Sequence, residues 1–208
     1  MALVKYNNNS ISAVTSAASI PSGAMTLIKT LTASSSANLQ FLNGSNGVVF
    51  DNTYPIYRFE FINIHPATNV TNFTFQADTG TNTSYNQTMT TTQFNAQHDE
   101  SGSSGFGYNA SGDQANGTAF QSIMERCGND NDSCLGGELT IYNPSSTVFV
   151  KHFMAKTQVE AAAESRNFFT AGYFNTTTAL TRVQFKMASG NIDSGKIKLY
   201  GIKDSWWA

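Results

Sequence analysis

In IYRFEFINI, residues 56–64, Tyr57, Phe59 and Phe61 occupy alternate positions, with Arg58, Glu60 and Ile62 between them. Successive side chains of a β-strand point to opposite faces, so this spacing sets three rings on one face and a mixed set on the other. A helix would spread the same rings around its circumference. NFTFQAD (72–78) keeps step through Phe73, Phe75 and Ala77. ELTIYN (138–143), TVFVKHFMA (147–155), RNFFTAGYF (166–174), TRVQFKMA (181–188) and KIKLYGI (196–202) continue the pattern. MTLIKTLT (25–32), NLQFLN (38–43) and YNQTMTTTQF (85–94) form an earlier set, and clusters of Gly, Asn, Pro and Ser punctuate them all. About ten short strands at this spacing predict an all-β chain, an antiparallel β-sandwich of jelly-roll type. Only VEAAAES (159–165) has helical character, two turns at most, too short to stand unpacked.

Two stretches depart from alternation. Residues 1–23 are rich in Asn, Ser and Ala and end in Pro21, Ser22 and Gly23, which reads as an extended N-terminal arm. The sandwich then spans 24–203, and 204–208 form a C-terminal tail. Residues 95–117 hold several glycines and little periodicity, so they read as a long surface loop.

Charge narrows the function. Twelve Lys and Arg stand against 14 Asp and Glu, for a formal net charge of −2, and the cations are scattered singly or at alternate strand positions. Nucleic-acid binding relies on clustered cations, so no nucleic-acid partner is expected. No apolar run approaches the roughly 18–20 residues of a membrane span. MALVKYNNNS lacks the apolar run of a signal peptide. Neither membrane insertion nor Sec-type export is expected. Weak charge also lowers repulsion between copies, which predicts a homo-oligomer, with a trimer as one expected form.

Catalytic patterns are missing. His65 precedes Pro66 at a strand end, His98 stands in HDES, and His152 alternates with Val150 and Met154 as a packed strand histidine would. There is no HExxH helix, GxSxG elbow or P-loop, and GSSGFG (102–107) lacks the strand-turn-helix setting that holds phosphate. Asp99 and Glu100 are adjacent rather than facing across a cleft. No catalytic residue, cofactor or metal site is assigned. Cys127 and Cys134 bracket CGNDNDSC, where a local disulfide and two free thiols remain equal alternatives. Asp130 and Asp132 in that stretch lack the Gly and distal Glu of an EF-hand, so it reads as a solvated turn.

The closing run SGNIDSGKIKLYGIKDS (189–205) predicts a hairpin turning at Gly190 and Gly195, which take the positive φ of a turn and a bulge. Val183, Phe185 and Met187 then face the core opposite Ile197 and Leu199. Gly201 omits a side chain where another backbone or ring comes close.

TRVQFKMASGNIDSGKIKLYGIKD (181–204) and MTLIKTLTASSSANLQFLNGSNGVVFDNTYPIYRFEFINIHPATN (25–69) resemble virion structural proteins of tailed bacteriophages, especially phages of marine bacteria. The resemblance covers most of residues 25–204. It implies a non-enzymatic protein, assembled in the host cytoplasm and carried in the virion. It further implies either a head decoration (cement) protein on the major capsid protein or a tail-fibre or tail-tip domain binding a host-surface glycan or protein. The chain shows no coiled-coil or fibrous shaft, which favours decoration. The anchors expected for joining other subunits are Leu3, Val4 and Tyr6 in the arm, Tyr108 in the loop, and Trp206 and Trp207 in the tail.

Overall fold

Residues 24–161 and 163–204 are described by a computed structural model. The arm anchors Leu3, Val4 and Tyr6 and the tail residues Trp206 and Trp207 lie outside the described residues. Twelve strands make up the regular structure among the described residues: β1 (Met25–Ser36), β2 (Leu39–Leu42), β3 (Ile56–Pro66), β4 (Thr71–Thr79), β5 (Met89–Asp99), β6 (Ser104–Tyr108), β7 (Gln121–Cys127), β8 (Leu135–Tyr142), β9 (Lys151–Ala161), β10 (Glu164–Phe174), β11 (Leu180–Met187) and β12 (Ile192–Ile202). None of the described residues forms a helix long and apolar enough to cross a membrane.

The strands pair into two antiparallel sheets. The larger runs β1-β12-β3-β8-β9-β10-β5-β6 and the smaller β2-β11-β4-β7. They pack face to face as a β-sandwich, and the alternation that predicts each strand supplies the seam. Tyr57, Phe59 and Phe61 point inward from β3, Phe73, Phe75 and Ala77 from β4, and Ile197 and Leu199 from β12, all buried. Phe185 on β11 sits at the centre, its ring 5.1 Å from Phe59, 5.3 Å from Phe61 and 5.9 Å from Phe73. The first two pairs meet edge to face and the third is stacked, and aromatic pairs of either kind add about 0.5–1.5 kcal/mol each beyond the area they bury.

Four expectations are corrected. The closing run is not a hairpin: β11 belongs to the smaller sheet and β12 to the larger, so residues 188–191 arch from one layer to the other. Val183, Phe185 and Met187 do face Ile197 and Leu199, but across the core rather than along one ladder. Gly190 (φ +71°) shapes the arch and Gly195 (φ +117°) sits at the β12 bulge. VEAAAES is not helical; β9 runs through Val159–Ala161, the chain turns, and β10 begins at Glu164. Residues 95–117 are not one loop, because they contain the second half of β5, a turn at Gly102 (φ +93°) and β6. TVFVKHFMA becomes strand only from Lys151, and Val148 and Phe149 before it are exposed.

Gly201 meets its expectation: a Cβ there would lie 2.4 Å from the ring of Tyr54. The outward face of β4 is also covered. Asp78, fully buried, accepts hydrogen bonds from Thr79 N (3.0 Å), Asn82 Nδ2 (2.7 Å), Gln87 Nε2 (2.9 Å) and Tyr85 N (2.8 Å). The segment 80–88 is thereby folded against the smaller sheet.

Candidate functional site

Four strands of the larger sheet, β9, β10, β5 and β6, present an outer face built from register. Tyr108 stands opposite Phe94, Phe94 opposite Phe169, and Phe169 opposite Lys156, so one row crosses all four strands. The Phe94 and Phe169 rings stack at 4.9 Å and 13°. Phe106, one step along β6, lies 5.6 Å from Phe94. Lys156 closes the row with its Nζ 5.7 Å from the Phe169 centroid. Beyond Lys156 the row continues through Glu138, Glu60 and Lys198, a charged band in which two carboxylates lie between two lysines.

Phe106 is 76% exposed and Tyr108 61%, which sets them apart from the buried rings of the core. The hydroxyl of Tyr108 donates to the Asp113 carboxylate, and that bond pushes the phenol above its usual range. The ring is thus tethered at the sheet edge through its hydroxyl.

Two rows further along, the same face sinks into an open depression of about 520 Å³, lined by Thr90, Thr92, Tyr142, His152, Met154 and Tyr173. Ala171 forms its floor, with a small side chain between Met154 and Thr92. His152 and Tyr173 stand 6.2 Å apart at 62°, and Tyr142 directs its hydroxyl at Met154 Sδ (3.9 Å). His152 is therefore not a packed core histidine. Lys151 and Phe153 take the inward positions on β9, and His152 faces out. Rings, a thioether, an imidazole and threonine side chains can stack and hydrogen-bond. Among the described residues no group of three or more His, Cys, Asp or Glu side chains converges as a metal site would require.

The remaining predicted residues lie elsewhere. Cys127 and Cys134 are free thiols, so the disulfide alternative does not hold in this structure. Cys127 ends β7 with its side chain in the core, where burial pushes the thiol up to about 12. The chain between them folds outward, with Ser133 Oγ donating to Glu160 Oε2 (2.7 Å) and His65 Nε2 3.1 Å from Asp130 O. Cys134 is left half-buried, its thiol 3.9 Å from Asn63 Oδ1. His65 also approaches Asp193 Oδ2 at 3.7 Å, while His98 is exposed on β5.

Tyr108 is the one described residue of the expected anchors that this face contains. Phe94, Phe106, Phe169, Tyr142, Met154 and Tyr173 were not singled out by their pattern. One signal was present: Phe168 and Phe169 are adjacent in a strand, so one of the two rings must point away from the core. Phe168 is buried and Phe169 is the outer one. Compared with protein-family models, with curated proteins and with solved structures, the chain matches none.

Proposed function

We propose that this chain is a non-enzymatic structural protein of a tailed-phage virion, a decoration protein that docks on the major capsid protein and braces the head. We read the sandwich as a jelly roll with two added hairpins. The pairing order supports this: β1-β12-β3-β8 lies against β2-β11-β4-β7, and consecutive strands pass from layer to layer. Capsid and lectin domains use such double sheets. The pairs β9–β10 and β5–β6 extend the larger sheet alone. Because a fold hosts many functions, the role is argued from the surface.

The observation that carries the reading is where the exposed rings lie. Phe94, Phe106, Tyr108 and Phe169 gather on the added hairpins, beside a charged band, while the β-sandwich itself is already closed by its own core. An exposed aromatic patch rimmed by polar residues marks a docking site, and aromatic anchors dominate the energetics of such contacts. The test uses purified particles stripped of this protein. The native chain rebinds them and the Phe94→Ser/Phe169→Ser double variant does not, although both fold. Equal rebinding by the two chains would overturn the reading.

A second reading, a tail-tip domain that binds a host-surface glycan, draws on the depression between Tyr142, His152 and Tyr173, where rings and hydroxyls are offered together. Copy number in purified virions separates the two. A shell protein is present in many copies per particle, and a tail component in few.

A further inference from the structure

The larger sheet ends in β6, and the hydrogen bonding of its neighbour fixes what that edge offers. Asn109 N donates to Gln93 O and Asp99 N donates to Ser103 O, both at 2.9 Å. The register between them pairs Phe94 with Tyr108, Ala96 with Phe106 and His98 with Ser104. Directly opposite residues of an antiparallel pair alternate between bonded and non-bonded. The odd-numbered residues of β6 therefore bond β5. The N–H and C=O groups of Ser104, Phe106 and Tyr108 point outward, away from the sheet. Their side chains meanwhile lie on the outer face, with Phe106 and Tyr108 the most exposed rings there.

Sheet edges are normally blunted by bulges, charges, proline or brevity. Three of the four edges here are. β1 is bulged between Leu27 and Lys29, β2 is four residues long, and β7 shifts register twice against β4 and carries Glu125 and Arg126. β6, SGFGY, has no charge, no proline and no register shift.

We propose that β6 pairs with β6 of a second copy, antiparallel about a twofold axis at Phe106. The strand is complementary to itself in that register alone over its full length. Phe106 meets Phe106 of the second copy, and Ser104 meets its Tyr108 on either side. All three outward-pointing residues then find partners in phase, as an isologous interface requires. No charge on either strand opposes a like charge, since the nearest ones, Asp99, Glu100 and Asp113, lie outside the paired residues. The pairing also joins the rings into one ribbon, Phe169, Phe94 and Phe106 continuing into the same three of the second copy. A foreign peptide would meet the same backbone groups without this symmetry. The assembly is a dimer rather than the trimer that composition allows.

The register makes the test specific. The expected result in solution is that light scattering gives the native chain twice its 22.5 kDa mass. Phe106→Pro removes an N–H that faces the edge and takes no part in the β5 ladder, a place where strands tolerate proline. The variant keeps its β spectrum and, diluted until both chains are monomers, melts as the native chain does, but its dimer dissociates at least tenfold more readily. Bonded antiparallel partners sit about 5.5 Å apart at Cα, within disulfide reach. Phe106→Cys in a Cys134→Ser background therefore cross-links to a covalent dimer under mild oxidation, and Ser104→Cys in the same background does not. A native chain that stays monomeric, a dimer that survives Phe106→Pro, or equal cross-linking at both positions would each overturn the proposal.

Discussion

Tyr57 and Asp51 exchange two hydrogen bonds across a turn: Asp51 N donates to the phenolic oxygen at 3.0 Å, and the hydroxyl donates to Asp51 O at 3.1 Å. Burial raises the phenol from its ordinary 10.0 to about 12. The folded protein therefore holds a proton that the unfolded chain releases above pH 10. The stability tied to this group is complete below pH 10 and is lost as pH rises toward about 12. Tyr57→Phe should cost about 1.5 kcal/mol at neutral pH. It should also flatten the fall of melting temperature between pH 10 and 12, which calorimetry across that range would reveal. An unchanged alkaline slope would refute the assignment.

The thiols should divide by accessibility. At pH 8 an aromatic disulfide reagent should titrate one thiol per native chain, Cys134, and the second only after denaturation. Cys127 is sealed in the core and protonated far above neutral pH, so neither the thiolate nor an access path exists. Two fast thiols would contradict its burial, and none would contradict its free state.

Asp78 is a buried carboxylate saturated by donors. Asp78→Ala leaves the Tyr85 amide without its acceptor and takes from Asn82 and Gln87 the shorter of their two hydrogen bonds. The expected loss is about 3 kcal/mol, read from urea unfolding. Limited proteolysis within residues 80–88 should accelerate in the same variant. A loss below about 1 kcal/mol would mean that water replaces the carboxylate without difficulty.

Gly195 and Gly107 make a matched pair. At Gly195 the backbone is left-handed and a Cβ would lie 2.5 Å from Asn63 O, whereas at Gly107 the space is open. Gly195→Ala should destabilise by about 2–4 kcal/mol and Gly107→Ala by less than about 0.5 kcal/mol. Similar values for both would show that the β12 bulge yields easily.

Legibility in the sequence followed the chemistry of the buried face. Where that face is apolar, as at Tyr57, Phe59 and Phe61 or Val183, Phe185 and Met187, alternation gave the strand and its inward side. The hidden elements bury polar groups. On β5 the inward residues include Thr91 and Gln93, and Gln93 Nε2 donates to Ser122 O and Thr170 Oγ1, both at 2.8 Å. Such a strand looks polar on both faces, so the strand reading stopped at Phe94 and the second half of β5 faded into a supposed loop, and β6 with it. β7 was missed for the related reason that Gln121, Ile123 and Met124 are all buried, which erases alternation. Lys151, also buried, donates to the carbonyls of Phe149 (3.0 Å) and Thr176 (3.3 Å), and no local pattern marks it. The β11–β12 connection failed for another reason. A short turn between two alternating strands has the same sequence whether they pair side by side or face one another. The candidate face was partly visible, through Tyr108 and the Phe168–Phe169 doublet. Its assembly depends on four strands coming into register, which spacing along one strand cannot give.

The ladder between β1 and β12 sets Met25 opposite Ile202, and just beyond it Lys203 N donates to Ala24 O at 2.9 Å. The two ends of the described chain thus leave from a single corner of the sheet. A pull applied between Ala24 and Lys203 would load these hydrogen bonds one rung at a time, as a zipper is opened, and would leave the aromatic seam unstressed until β1 had peeled away. The same pull delivered through the outer face of β9 and β10 would be shared by every strand between them and the far edge. Mechanically the molecule has a weak corner and a strong flank, and a role that bears pressure calls for the flank.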